Sequence, residues 1–215
     1  MGRTIRGNGL GGYKTNTPFM YGYPNIWTWL ALEIGVKSVI DIGCAEGHVL
    51  NFFKFFGCRV HGVDGCQYAY ENSMVKDDMV LHDYRNGSYI PNDTYELGWS
   101  SDFVEHVDSQ FVSNYMETFN KCSKYVFLTF GPLGCRGYHH VNCNNLPYWI
   151  DLFAAISFKP NYELTEQATK ISMDGGKLTP EVKAAFPDVA NYKSDVRAFS
   201  GTKDRQTGIV FDKIY

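Results

Sequence analysis

Four carboxylates and three histidines carry most of the chemistry that this 215-residue sequence can offer. Asp41, Asp64 and Asp83 each lie at or beside the end of a short apolar run. Glu105-His106 follow a fourth such run, and His139-His140 lie in a loop after a fifth. A carboxylate at the end of a strand can accept both hydroxyls of a ribose. A histidine, with a reference pKa near 6.5, can take the proton of a hydroxyl group under attack at neutral pH. Glu105 could orient such a histidine, or join a metal site if a divalent ion held a diol. His106, His139, His140 and Glu105 are therefore the candidate catalytic residues. The layout suits a nucleoside-bearing cofactor at one end of a crevice and a proton-bearing acceptor at the other.

The stretch from Lys37 to Leu50 positions the first carboxylate. Val39, Ile40 and Ile42 form a β-branched run bounded by turn residues, as expected of a strand buried on both faces. Gly43 and Gly47 follow, and glycine admits positive φ and close approach of backbone to a ligand. From Val49 through Leu50, Phe52, Phe53 and Phe56 the apolar residues recur at helical spacing, so a helix begins near Glu46, its free N–H groups facing the turn. The dinucleotide fingerprint G-x-G-x-x-G places a glycine against a pyrophosphate. Here Ala45 stands between Gly43 and Gly47, and the spacing is wrong for that cradle.

The remaining elements alternate. A helix is expected over Pro24–Ile34, with Pro near its first turn. Strands are expected over 37–42, 59–63, 79–83, 95–100 and 124–130, a short one over Tyr162–Thr165, and a last one over 206–214. Helices are expected over 46–56, after Gly65, near 109–122, over 146–157 and near 181–186. Such alternation implies a mostly parallel sheet covered by helices on both faces. Residues 1–23, rich in glycine and aromatics, read as an arm or lid, with Tyr13, Tyr21 and Tyr23 able either to close over a cofactor or to pack the arm. Residues 166–201 read as an insertion before the last strand, and 1–215 as a single domain. Ligands of open α/β sheets sit outside the carboxyl ends of the strands, which collects the acids, residues 100–106 and the long loop 131–145 in one crevice.

At these residues the chain resembles the class I S-adenosylmethionine (SAM) dependent methyltransferases. Asp41, Gly43 and Gly47 match three of the four positions of that family's acidic-x-Gly-x-Gly-x-Gly motif, and Ala45 replaces the middle glycine. Asp64, Asp83 and the Ser100–His106 stretch match its later acidic and fourth-strand cues in order. The resemblance implies a Rossmann-like, doubly wound, seven-stranded sheet with the last strand antiparallel. It implies SAM as cofactor, held by Asp41, Gly43, Cys44, Ala45, Gly47, Asp64, Gly65, Asp83, Tyr84, Ser100 and Ser101. Glu105-His106 also recurs in members that methylate hydroxyls of small molecules, sugars among them. The resemblance covers residues 37 to about 130 and thins beyond, where the acceptor is chosen.

Composition narrows the partners. A net charge of −3 provides no broad basic field for a nucleic-acid backbone, so the expected partner is a small-molecule acceptor. No apolar run reaches the ~18–20 residues of a membrane span. With no signal-like segment at the start, a cytoplasmic protein is expected, with oligomerisation through the aromatic arm left open. The six cysteines contain no C-x-x-C, and the spacing of Cys135, His139, His140 and Cys143 is not that of a common zinc module, so no metal is expected. A nicotinamide-dependent oxidoreductase is the competing enzyme class, but it lacks its glycine spacing and a Tyr-x-x-x-Lys pair after the fourth strand. A non-catalytic SAM-binding module is the other alternative.

Overall fold

The strand β1 (Ser38–Ile42) lies inside the sheet, with all five residues buried. In the computed structural model, which describes Leu10 and residues 22–173, 178–187 and 207–215, it is flanked by β2 (Arg59–Asp64) and β4 (Tyr95–Ser100). Beyond β2 lies β3 (Met79–Leu81), and beyond β4 lies β5 (Cys122–Thr129). These five strands are parallel. The hairpin-like end is made by β7 (Gly208–Lys213), antiparallel to both β5 and the edge strand β6 (Phe158–Pro160). The order β3-β2-β1-β4-β5-β7-β6 is the doubly wound, seven-stranded, mostly parallel sheet expected from the sequence.

Successive residues of a strand face opposite sides, and two cores result. Val39, Leu97, Trp99, Phe127 and Val210 face one core with α1 (Pro24–Leu32) and α2 (His48–Phe55). Ile40, Ile42, Val126, Leu128, Ile209 and Phe211 face the other, against α4 (Val112–Phe119) and α5 (Leu146–Ala154). Large aromatics fill both. Trp27 of α1 meets Trp99 edge-on at 5.9 Å, and Phe153 stacks on Phe211 at 4.2 Å. The short α3 (Gln67–Glu71), with α6 (Tyr162–Met173) and α7 (Pro180–Ala185), completes the elements.

Two sequence expectations are corrected. The strand expected over Tyr162–Thr165 is the first turn of α6, because Asn161 caps it: its Oδ1 accepts from the Leu164 N–H at 2.8 Å. The strand lies just before, at Phe158–Pro160, on the sheet edge where a proline is tolerated. The helix expected over 109–122 is shorter, because a 3-10 turn (Ser109–Phe111) precedes it and Cys122 already begins β5. The segment read as an insertion from 166 starts inside α6. Most of the N-terminal arm, with Tyr13 and Tyr21, and residues 174–177 and 188–206 lie outside the described residues. Tyr23 is buried beside Trp99, a packing position rather than a lid. Among the described residues no helix is long and apolar enough to cross a membrane.

Candidate active site

The sheet order reverses at β1, with β2 on one side and β4 on the other, and a crevice opens there at the carboxyl ends. The turn after β1 is fastened to β2. Gly43 and Cys44 donate to the Val63 carbonyl at 2.8 and 3.3 Å, and Ala45 donates to Asp64 Oδ2 at 2.8 Å. Gly47 closes the turn onto the Cys44 carbonyl at 2.9 Å. Gly43 is required twice over, since its φ is +82° and a Cβ there would come within 2.4 Å of the Phe103 ring. Ala45, at the position where the resembled motif has glycine, bears a φ of +47° despite its Cβ.

Asp41 is a buried acid and Asp64 a half-buried one. Burial raises the Asp41 carboxyl well above the ordinary range, and the nearby Asp64 charge raises it further. Burial likewise raises Asp64, partly offset by the N–H groups of Cys66 and Ala45, which bond its two oxygens at 2.7 and 2.8 Å. A cation or a set of hydroxyl donors in this corner would relieve both. Asp83 differs. Burial would raise it, but Arg85 outweighs burial through its N–H and guanidinium and holds the carboxyl below its usual value. Both Asp83 oxygens are thus already engaged.

A cleft of about 240 Å³ runs from these acids toward the acceptor side. Asp64, Gly65, Asp83 and Tyr84 line it together with Phe103, Val107, Phe111, His139 and Val141, and the Phe103 ring meets the Tyr84 ring edge-on at 5.9 Å. Of the expected site residues, the structure brings Asp64, Gly65, Asp83, Tyr84 and His139 together around it. Ser100 is fully buried, and its hydroxyl donates to the Ile42 carbonyl at 2.8 Å, tying β4 to β1. Ser101 Oγ accepts from the Trp99 indole at 3.3 Å. Neither serine lines the cleft. Cys44 is buried behind the turn. The apolar walls Phe103, Val107, Phe111 and Val141, and Leu10 from the arm, escaped residue-by-residue reading. Phe103 and Val107 carried a signal, since they adjoin the Glu105-His106 pair.

The acceptor end is held by cross-bonds between the turn after β4 and the loop after β5. Val141 and Asn142 donate to the Glu105 carbonyl at 2.9 and 3.0 Å. His106 Nδ1 donates to the His139 carbonyl at 3.1 Å, and His139 Nδ1 donates back to the His106 carbonyl at 3.2 Å. Burial first, and the neighbouring His140 and His139 next, push His106 down to about 4, against the pull of the His139 and Tyr138 carbonyls, so it is neutral at pH 7. Glu105 is buried as well. Burial and the Asp102 charge push its carboxyl up to about 8, partly offset by backbone N–H groups at Glu105 and Gly131. His106, His140 and Glu105 do not line the cleft, although the sequence placed all four catalytic candidates there.

The match to known proteins follows these features. A family model described as a methyltransferase domain matches residues 27–167, and the chain belongs to that family. It is a methyltransferase of the class I, SAM-dependent type that the strand-end motifs resemble. Among solved structures, a SAM-dependent methyltransferase from Archaeoglobus fulgidus shares 17% identity and a TM-score of 0.52, over 90% of this chain and 95% of that one. The O-methyltransferase of a trans-AT PKS multienzyme of Brevibacillus brevis, in complex with S-adenosyl-L-homocysteine, shares 14% identity and a TM-score of 0.50, over 88% and 69%. Magnesium protoporphyrin IX methyltransferase from Synechocystis, with bound SAH, shares 15% identity and a TM-score of 0.50, over 63% and 71%. At these identities the likeness is one of fold. Comparison with the curated proteins gives no match.

Proposed function

We propose that the protein transfers a methyl group from SAM to a hydroxyl of a small polar molecule, with sugars the first acceptors to test. The observation that carries this reading is the continuous cleft from Asp64 and Asp83 to His139. The residues present fit SAM. A buried acid, Asp41, and a half-buried one, Asp64, both raised by desolvation, suit positive charge or hydroxyl donors, and the turn at Gly43 leaves no space for a side chain. Bound there, SAM supplies an activated methyl on a cationic sulfur.

Asp41 and the turn Gly43–Gly47 hold the amino-acid end, and Asp64, already set by two backbone N–H groups, takes the ribose hydroxyls. Gly65, Asp83 and Tyr84 with the Phe103 ring bound the base, while Cys44, Ser100 and Ser101 support the turn and strand from behind. On the acceptor side His139 is the histidine of choice. Its Nδ1 hydrogen is committed to the His106 carbonyl, which leaves Nε2 to accept the hydroxyl hydrogen. The phenyl and valine walls exclude water from the transfer path, and in-line positioning supplies most of the acceleration.

The fold resemblance to the O-methyltransferase of B. brevis supports the class and leaves the acceptor to experiment. A cytoplasmic setting belongs to the same reading, supported by six cysteines that are all free thiols. Calorimetry with SAM and with NAD, followed by labelled-methyl transfer to hydroxyl, amine and carboxyl acceptors, tests it. SAM binding with transfer to a hydroxyl supports the reading. Absence of SAM binding sinks it, and transfer confined to amines removes the hydroxyl assignment.

A further inference from the structure

Away from the cleft lining, the loop after β5 folds back on itself and gathers soft ligands. Cys135 Sγ lies 3.0 Å and Cys143 Sγ lies 3.7 Å from His140 Nδ1. A tetrahedral zinc with Zn–S of ~2.3 Å and Zn–N of ~2.0–2.1 Å sets its nitrogen and sulfur ligands ~3.6 Å apart. A fourth group comes from a different element. Glu105, in the turn after β4, is buried, and its Oε2 has no hydrogen-bond partner. One of its oxygens lies within 4.8 Å of a His140 ring nitrogen. A buried carboxylate oxygen left bare is costly, and a metal is one of the few things that satisfies it.

The backbone has been cleared around this cluster. A Cβ on Gly131 would come within 2.7 Å of Cys135 Sγ and 3.2 Å of Cys143 Sγ. A Cβ on Gly137 would come within 2.1 Å of His140 Nε2. Two glycines thus leave room for three ligand side chains to converge. His106 shares the Glu105–His140 neighbourhood, but its Nδ1 is bound to the His139 carbonyl. Two thiols and an imidazole select zinc over magnesium or calcium.

We propose that Cys135, His140, Cys143 and Glu105 bind one zinc ion that pins the acceptor-side loop to the turn after β4. The ligands escape the spacing of common zinc modules because the fourth is supplied thirty positions earlier in the chain (135 − 105) by a neighbouring strand end. Coordination as two thiolates and a carboxylate sends the two thiol protons and the Glu105 proton to solvent. Glu105 and His140 then serve as ligands rather than in proton transfer, and the ion's role is to fix where His139 and Val141 present themselves to the cleft. The inference needs neither SAM nor an acceptor, so its fate is separate from that of the methyl-transfer reading.

The test is metal analysis of the reduced, full-length protein after dialysis against zinc, followed by replacement with cobalt(II). One zinc per chain is expected, with a thiolate-to-cobalt charge-transfer band. Both should disappear in C135S/C143S, and E105Q should weaken zinc by ~10-fold or more, at least the effect of losing a supporting group. Substoichiometric metal in the wild type overturns the proposal, as does a cobalt spectrum without thiolate character. So does a Cys135–Cys143 disulfide whose reduction restores no metal uptake. If C135S/C143S fails to fold, the wild-type cobalt spectrum decides alone.

Discussion

The two ends of the crevice are built by different means. At the cofactor end the sheet does the work: a fully buried central strand delivers Asp41, and the next strand delivers both Asp64 and the Val63 carbonyl that fastens the turn. At the acceptor end a loop and a turn hold each other, through the paired His106–His139 bonds and the Glu105 carbonyl. Geometry fixed by strands tolerates little change in its backbone. Geometry fixed by loops depends on side chains and any ion that ties them, and can vary with the acceptor. Damage at one end should therefore separate cleanly from damage at the other.

The sharpest separation is expected at His139. Replacing it with alanine should lower the methyl-transfer rate by ~10²–10⁴-fold, the usual worth of a positioned proton acceptor. SAM affinity, read by calorimetry, should stay within a few-fold, because His139 is bonded to the His106 carbonyl and takes no part in the turn bonds that hold Asp64. A His139→Ala enzyme with full activity would break the assignment, and lost SAM binding would mean that the two ends are one unit.

The cofactor end was the legible one, and physics explains why. Buried parallel strands leave β-branched runs in the sequence, and strand-end turns need glycine, so Val39–Gly47 and Arg59–Asp64 could be read directly. The acceptor end has no period. Nothing local in residues 135–143 announces that Glu105 lies near His140, because a loop returning across a neighbouring strand end makes that contact. The same blindness hid the bond of Ser100, whose position in the motif suggested a ligand contact and whose hydroxyl bridges two strands. It also turned Tyr162–Thr165 into a strand, since the Asn161 cap outweighed the β-branched and aromatic residues.

Gly43→Ala should strike the cofactor end alone. The left-handed φ costs a substituted residue ~1–2 kcal/mol, and the clash with Phe103 adds to it. SAM affinity should fall by ~10-fold or more, with 1.4 kcal/mol per decade. The melting temperature should drop in parallel. Wild-type SAM affinity in this variant would show that the turn does not touch the cofactor.

Asp41→Asn probes the same end through pH. Burial, then the Asp64 charge, makes the folded protein bind the Asp41 proton more tightly than the unfolded chain does. That contribution to stability is fully present below the unfolded pKa and is lost as pH rises through the folded one. Asparagine has no proton to lose. The variant without SAM should therefore gain stability relative to wild type as pH rises from acid to neutral, seen in melting curves across that range. Its SAM affinity should fall by ~10–100-fold, the worth of a hydrogen bond to a charged group. A stability difference that is flat with pH would remove the buried-charge account of Asp41.

The smallest effect, and the finest test of how strictly strands fix the cofactor end, is Ala45→Gly. Ala45 has a φ of +47°, where an L-residue costs ~1–2 kcal/mol, and its N–H must stay aimed at Asp64 Oδ2. Glycine removes the strain but makes the unfolded chain freer, which gives back ~0.4–1 kcal/mol. The net expectation is a stabilisation of about 0.5–1 kcal/mol, read by denaturant unfolding, with SAM affinity and transfer rate unchanged. A loss of stability would mean that the Ala45 methyl packs usefully enough to outweigh its strain. A change in SAM affinity would mean instead that the methyl itself shapes the cofactor's seat, which the turn's backbone bonds to Val63 and Asp64 would then only support.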